Sequence, residues 1–237
     1  MLMKPSDPFA AAFLDLALDY ENTVDAELHK FWGLSYPVLV RDLLECAQIR
    51  ETEAVLDLAT GSGLIPRTIR QKGNHSGRVV GLDMTYPVLE SGMKISTAID
   101  LVCGSAVFLP FERDTFDWVI CALASHHIDQ AQLLAQVHAV LKPGGRFLLA
   151  DVAASPAWQL PGVKLLLRFA AYAYFLVKES PSRAWIEADA VSHVYTAAQW
   201  AVCLEKLGFT SIRTRPLAVQ KTWSPSGMFM IARKIWP

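Results

Sequence analysis

Between about residue 49 and residue 152, apolar residues occur in short unbroken runs and not at every second position. Such runs are typical of parallel strands that are covered on both faces of a sheet. Helical periodicity separates the runs, and this alternation predicts a doubly wound α/β sheet. The predicted strands are residues 53–58, 78–83, 100–103, 116–122 and 146–152, with helices at 64–71, 87–93 and 130–141.

The flanking segments lack this rhythm. The sequence pattern predicts helices up to about residue 48. Residues 153–195 form an insertion with an apolar helix at 163–178, in which Lys164, Arg168 and Tyr172 make one polar stripe. A helix at 196–207 follows, and two strands at 211–215 and 228–234 are joined so briefly that the last must return antiparallel. We therefore predict a cap (1–48), a central part (49–152), an insertion (153–195) and a completing segment (196–237), with seven strands in one mainly parallel sheet.

Composition excludes several classes of protein. The 237 residues are 52% hydrophobic and only 19% charged, which excludes a disordered chain. The net charge of −1 comes without any run of like charge, so a nucleic-acid partner is not expected. The longest apolar stretch, 169–177, is far shorter than the roughly 20 residues of a membrane-spanning helix. Lys4, Pro5, Asp7 and Asp15 interrupt any secretion signal.

The four cysteines are far apart, and no cysteine or histidine lies at zinc-ligand spacing. We interpret them as free thiols in a reducing cytoplasm, so the expected location is cytoplasmic. The same spacing leads us to expect no metal-ligand cluster. The cysteines are Cys46, Cys103, Cys121 and Cys203.

A glycine-containing turn, residues 59–63, connects the first strand to the first helix of the central part. Such a turn serves structure alone in many proteins, but here Asp57 closes the first strand and Asp83 closes the second, 20 residues beyond Gly63. An acid in the position of Asp83 accepts hydrogen bonds from ribose hydroxyls. Pro66 stands where a dinucleotide fingerprint needs glycine or alanine, and the acid before the turn suits a ligand with a cationic amine.

Several further motifs follow in order: VLDLATGSG (55–63), VVGLDM (79–84), CGSAVFLPF (103–111), FDWVICALASHH (116–127), LKPGGRFLLADV (141–152) and YTAAQWAVCLEKLGF (195–209). Together they resemble the class I S-adenosylmethionine-dependent methyltransferases, particularly the group that includes ubiquinone and menaquinone biosynthesis enzymes. The resemblance runs from about residue 55 to residue 209. It implies a Rossmann-like fold, S-adenosylmethionine as the cofactor and a role in small-molecule biosynthesis.

The resemblance also implies roles for single residues. Asp57 and the turn residues Ala59, Thr60, Gly61 and Gly63 would hold the methionine part of the cofactor, and Asp83 the ribose. Met84, Gly104, Ser105 and Ala106 would surround the adenine, with Ser105 replacing the family's usual acid. Cys121 and Ala122 would line the same site from the end of the fourth strand, and Tyr20 would close over the methionine end.

His126 and His127 follow the fourth strand at its carboxyl end and are the candidate general bases, with His127 slightly preferred. The alternative is that they only orient a loop or pack beside the cofactor. Asp151 faces the site or caps a turn. Tyr172 and His193 are candidate contacts to the acceptor, although a surface role fits His193 equally well.

The aromatic insertion over the site predicts an apolar acceptor, such as a quinol, a phenol or a polyketide-like molecule, methylated on O or C. The alternative is that its helix only completes the core. A weak contact with a bilayer surface, with Lys164 and Arg168 toward the headgroups, also remains open. Competing functions are an enzyme that binds S-adenosylmethionine without transferring methyl, a nicotinamide-dependent reductase and a non-catalytic binding module.

Overall fold

The computed structural model describes residues 19–96, 99–217 and 226–235. Within these ranges the chain forms a seven-stranded sheet in the order β3-β2-β1-β4-β5-β7-β6. β1 to β5 are parallel, and β7 runs antiparallel to its neighbours β5 and β6, as predicted. The strands are β1 (Val55–Leu58), β2 (Val79–Asp83), β3 (Asp100–Cys103), β4 (Phe116–Ala122), β5 (Leu141–Ala153), β6 (Phe209–Pro216) and β7 (Ser226–Lys234).

Helices cover both faces and one end of this sheet. The α-helices are α1 (Tyr20–Phe31), α2 (Tyr36–Ala47), α3 (Leu64–Gln71), α4 (Tyr86–Ile95), α5 (Gln130–Val140), α6 (Pro161–Lys178), α7 (Pro181–Ala190) and α8 (Ala197–Lys206). Short 3₁₀ turns lie at Ser125–His127, Pro156–Gln159 and Val191–His193. The part of the predicted cap before residue 19 lies outside the described residues.

Successive residues of the central strands are buried on opposite faces, which is why their sequence does not alternate. On one face Leu56, Val119 and Leu149 belong to a core that includes residues of α5 and α8. On the other face Trp118 and Leu148 belong to a core that includes residues of α2 and α3. The unbroken apolar runs therefore correctly predicted a sheet covered on both sides.

β5, β6 and β7 are longer than predicted, and β5 differs most. The sequence predicts β5 from residue 146, because Lys142-Pro143-Gly144-Gly145 resembles the end of a helix. The structure begins β5 at Leu141, and the pairing with β4 shifts from Phe116–Leu141 to Trp118–Arg146, so residues 142–145 bulge from the ladder. Gly144 has φ +77° in this bulge. Gly144 therefore allows the backbone to bulge within β5, in addition to following the end of α5.

The insertion contains α6, as predicted, and a second helix, α7, which the sequence pattern did not reveal. α6 packs its polar stripe against α7 and the following turn: Lys164 donates to the Ser192 carbonyl at 3.1 Å, and Arg168 lies 3.8 Å from Asp189. No residue of α6 is fully buried. Among the described helices, none has both the length and the apolarity needed to cross a membrane.

Candidate active site

A cavity of about 530 Å³ opens at the carboxyl ends of β1, β2, β4 and β5, beneath α1, α6 and α7. Parallel α/β sheets bind their ligands at this edge. Eleven of the residues singled out from the sequence line it. These are Tyr20, Ala59, Asp83, Met84, Gly104, Ser105, Ala106, Ala122, His126, His127 and Asp151.

The turn after β1 has an unusual backbone that brings it close to α1. Ala59, Gly61 and Gly63 all have positive φ, at +53°, +58° and +81°. A side chain at Gly61 would overlap the ring of Tyr20. Glycine is therefore required at this position both for its conformation and for the close approach of the tyrosine.

Two buried carboxylates lie beside this turn. Asp57 accepts a hydrogen bond from the Thr60 hydroxyl on Oδ2 at 2.5 Å, and its buried Oδ1 has no hydrogen-bond partner among the described residues. Burial, together with the charge of Asp83, raises the pKa of Asp57 to about 7. Asp83 accepts from the backbone N–H groups of Gly61 at 3.0 Å and Thr85 at 2.8 Å, which fixes it at the rim of the cavity.

Helix α1 is fastened to the glycine turn by a polar contact that the sequence did not reveal. Glu21 accepts from the Ser62 hydroxyl at 2.5 Å and from Arg67 at 2.6 Å, and Arg67 also donates to the Ser62 carbonyl at 2.8 Å. Arg67 is buried. This arrangement holds Tyr20 over the turn, where burial and the charges of Asp83 and Asp57 raise the pKa of its phenol.

Several predicted residues lie off the cavity. Asp57, Thr60 and Gly61 lie behind its wall in and beside the turn, and Gly63 faces Ile99 instead. Cys121 is fully buried in the core of the sheet. Tyr172 packs on Trp185 with ring centroids 4.9 Å apart, and His193 is exposed, with its carbonyl accepting from Gln130. The structure therefore does not bring Tyr172 or His193 to the place expected for an acceptor contact.

His126 is oriented by Asp151, which closes β5. Its Nδ1 lies 2.8 Å from Asp151 Oδ1, while Oδ2 of the same carboxylate accepts from the Ser125 hydroxyl at 2.5 Å. Burial by itself lowers the pKa of His126, but the Asp151 carboxylate outweighs it and raises that pKa above its usual value. A histidine held in this way by a carboxylate keeps one tautomer and leaves Nε2 for chemistry.

His127 differs in its electrostatics. Its ring centroid is 4.1 Å from that of His126, and its Nε2 lies 3.6 Å from Glu187 on α7. Burial, followed by the charges of His126 and Arg183, holds the pKa of His127 well below its usual value. His127 is therefore neutral at physiological pH, and His126 is the stronger base of the two.

His126, His127 and Glu187 offer ligand atoms within 4.8 Å of one another, so the fold assembles a metal-ligand geometry that sequence spacing did not reveal. Two of the three groups already have charged partners. Arg183 lies 2.9 Å from Glu187, and Asp151 holds His126. A divalent cation here would be repelled by the neighbouring guanidinium.

Arg183 of α7 also connects the insertion to α1. Besides Glu187, it lies 3.4 Å from Glu179 and 4.0 Å from Glu27 of α1, all around one side of the cavity. Burial raises the pKa of Glu27 to about 7, with Glu187 and Glu179 adding to the effect and Arg183 opposing it. The side chains that close the site thus come from segments more than 150 residues apart in sequence.

Comparison with known proteins agrees with this geometry. A sequence profile described as a methyltransferase domain matches residues 56–149, which include the glycine turn, Asp83 and both histidines. Residues 56–149 form a methyltransferase domain. The resemblance to class I S-adenosylmethionine-dependent methyltransferases is thereby confirmed.

Curated relatives of the methyltransferase domain include enzymes of quinone biosynthesis. The chain is 30% identical over 132 residues to the demethylmenaquinone methyltransferase of Lysinibacillus sphaericus, covering 54% of this chain and 55% of that one. It is 27% identical over 156 residues to the ubiquinone/menaquinone biosynthesis C-methyltransferase UbiE of an Enterobacter species, covering 62% and 59%. The chain therefore spans less than two thirds of the length of these relatives.

Solved structures share the fold beyond the methyltransferase domain. A SAM-dependent methyltransferase from Aquifex aeolicus superposes with a TM-score of 0.62 at 15% identity, covering 94% of this chain and 98% of that one. Human N-acetylserotonin methyltransferase, solved with SAM, gives 0.64 at 16% identity, covering 98% and 60%. The [4+2]-cyclase SpnF gives 0.67 at 12% identity, covering 87% of each chain.

The residues that line the cavity, with Asp57 directly behind its wall, fit S-adenosylmethionine. The unpartnered Oδ1 of Asp57 suits the cationic amine of the methionine part, and Asp83 has a second lone pair on each oxygen for ribose hydroxyls. Gly104 and Ala106, both small, line the wall beside Met84 and leave room for a planar base. Ser105 supplies a hydroxyl at the same wall.

Proposed function

We propose that the protein transfers the methyl group of S-adenosylmethionine to an oxygen or carbon atom of an apolar or aromatic small molecule. The observation that carries the proposal is the His126–Asp151 pair, which places a base with a raised pKa at the carboxyl end of β4, facing an otherwise apolar cavity. A base is needed where the accepting atom carries a proton, as in a phenol, a quinol or an acidic C–H group.

Positioning is the first task of the chain. When bound, the cofactor supplies an electrophilic methyl group on a sulfonium that is also a good leaving group. Asp57 holds the amine and Asp83 the ribose, while Tyr20 covers the turn and excludes water from the methionine end. Alignment of this kind lowers a barrier by about 7–11 kcal/mol.

Proton removal is the second task. His126 Nε2 takes the proton of the acceptor O–H or C–H as the acceptor's electron pair attacks the methyl carbon and the C–S bond breaks. Asp151 stabilises the imidazolium that forms. The products are the methylated acceptor, S-adenosylhomocysteine and a proton on His126, which then leaves to solvent.

The acceptor class follows from the walls of the cavity. Aromatic side chains reach it from α1, the residue after α1, the start of α2, the turn after β5 and α6. Charged side chains gather around Arg183 on one side, and Asp83, Asp129 and Asp151 line it elsewhere. Such a lining suits an apolar ring system with a few polar substituents. The aromatic residues are Tyr20, Phe31, Trp32, Tyr36, Trp158 and Phe175. The names of the curated relatives point in the same direction, to quinone-type acceptors methylated on carbon.

The test is turnover of His126→Ala and Asp151→Asn with labelled cofactor and a panel of quinols and phenols. We expect His126→Ala to lower kcat by about 10²–10⁴-fold while affinity for S-adenosylhomocysteine is kept. His193→Ala, on an exposed histidine away from the cavity, is the matched control and should keep full activity. Unchanged kcat in His126→Ala would remove this residue from the mechanism.

A second candidate function is a reaction without methyl transfer, and the fold is shared with the [4+2]-cyclase SpnF. At 12% identity this likeness shows the fold alone. Single-turnover incubation separates the two functions, since only methyl transfer forms S-adenosylhomocysteine in equal amount with product.

A further inference from the structure

Helix α6 has its polarity reversed relative to an ordinary surface helix. Lys164, expected toward lipid headgroups from the sequence, instead donates to the Ser192 carbonyl, and Arg168 lies at the edge of the helix beside the exposed Asp189. Its outward face is apolar. Residues on that face are largely exposed, with Leu165 68%, Leu166 70%, Phe169 71% and Val177 81% accessible. A surface helix normally shows the opposite arrangement.

The exposed apolar residues form one continuous stripe. Positions 162, 165, 166, 169, 170, 173, 176 and 177 share one side of the helix at 100° per residue, and none of them is charged. The 18 residues of α6 make the stripe about 27 Å long. Trp185 of α7, 65% exposed and packed on Tyr172, extends the same surface sideways. Apolar patches of this kind mark a surface that is covered in the working protein.

Cationic side chains border the stripe. Lys178 is exposed at the end of α6, and Arg168 lies along one edge, with 43% of its side chain exposed. On the other edge Lys30 of α1 lies 4.0 Å from the ring centroid of Tyr174. Two acids lie at the same border, Asp189 and Glu179, and each is near an arginine, Arg168 and Arg183. The border therefore presents cations toward a facing surface, and its acids are partly neutralised.

We propose that this face of α6, with Trp185, docks on the surface of a lipid bilayer that contains anionic lipids. An apolar stripe inserted at acyl-chain depth, an interfacial tryptophan and bordering lysines and arginines are the features by which helices lie in a membrane interface. The long stems of lysine and arginine allow their charges to reach the headgroups while the stripe is inserted.

The proposed docking face and the cavity lie on opposite sides of α6. Ala171 and Phe175, on the inner side of the same helix, line the cavity. A single helix therefore separates the bilayer from the site, so an apolar acceptor dissolved in the membrane has a short path inward. This last step rests on the proposed function, but the docking itself does not.

The test is flotation of the protein with vesicles of phosphatidylcholine alone and of phosphatidylcholine with 30 mol% phosphatidylglycerol. We expect binding that is stronger with phosphatidylglycerol and weakens as salt is raised. Leu165→Ser/Phe169→Ser should reduce the partition coefficient about 100-fold, since each side chain contributes roughly tenfold. Ile95→Ser/Val202→Ser, which removes two exposed apolar residues on other faces, should bind like wild type.

Three outcomes would overturn the docking proposal. They are no binding to either vesicle, equal binding of wild type and Leu165→Ser/Phe169→Ser, and a dimer in solution that this same variant dissociates, because a second copy would then cover the face. Vesicle binding is measured without cofactor or acceptor. Failure of methyl transfer therefore leaves the result standing, and failure of docking leaves activity on detergent-dispersed acceptor intact.

Discussion

Asp57 gives the sharpest prediction about cofactor binding, because its carboxyl group is buried with one unpartnered oxygen and has a pKa of about 7. Only the ionised carboxylate attracts the cationic amine of the cofactor. Below pH 7 the ionised fraction falls about tenfold per pH unit, so the Kd for S-adenosylhomocysteine should rise about tenfold per unit. Above pH 7.5 the Kd should be nearly constant.

Two substitutions distinguish Asp57 from other titrating groups. Asp57→Asn should bind more weakly, by about 10- to 150-fold, since a hydrogen bond to a charged group contributes about 1.5–3 kcal/mol. Its plot of log Kd against pH should also lack the change of slope, or bend, that wild type shows near pH 7. Asp83→Asn removes the neighbouring charge that helps to raise the pKa of Asp57, so its bend should move to lower pH.

The assay is isothermal titration calorimetry with S-adenosylhomocysteine between pH 5 and pH 8. Glu27 also has a pKa of about 7 and lines the cavity, so Glu27→Gln is the control that should keep the bend. A bend that persists in Asp57→Asn, or that moves to higher pH in Asp83→Asn, would refute the reasoning.

Three further predictions concern stability and backbone shape. Folding raises the pKa of Asp57 to about 7, so the unfolded chain binds fewer protons than the folded chain between about pH 4 and pH 7, and stability falls as pH rises across that range. In urea unfolding at pH 8, Asp57→Asn should therefore be more stable than wild type by up to about 4 kcal/mol. Equal stability of wild type at pH 5 and pH 8 would contradict this. Gly61→Ala should abolish binding of S-adenosylhomocysteine, and Tyr20→Ala/Gly61→Ala should restore part of the lost stability, since the added Cβ overlaps the tyrosine. Lys234→Met should cost about 1–3 kcal/mol by urea unfolding, because the carbonyls of His138 and Leu141 lose their donor.

The fold was largely predictable because its core strands carry a strong local pattern. β3, β4 and α3 have the predicted bounds. The bulge at 142–145 was missed, because glycine after a helix also fits a turn and only pairing with β4 shows the extra residues. α7 was missed as well: its sequence PSRAWIEADA has no apolar stripe, and the helix begins instead with Ser180 accepting from the Arg183 N–H.

The site was predictable only where one segment forms it. The glycine turn and the strand-end acids are local features. Of their residues Ala59 and Asp83 line the cavity, and the others lie beside or behind its wall. Glu21 and Arg67, or Glu27 and Arg183, meet only after folding, and neither pair has a signal in sequence spacing. Asp151 is intermediate: β4 and β5 are parallel neighbours, so an acid closing β5 should lie near a histidine that follows β4.

The position of β7 has a consequence for synthesis on the ribosome. β7 lies between β5 and β6 and pairs with both, although it comes last of the three in the chain. Until residues 226–234 have emerged, β5 presents an unpaired edge and β6 has no partner. A nascent chain stalled before that point would expose unpaired backbone N–H and C=O groups, on which strands of other chains can pair and aggregate. The sheet therefore closes only when β7 is released from the ribosome.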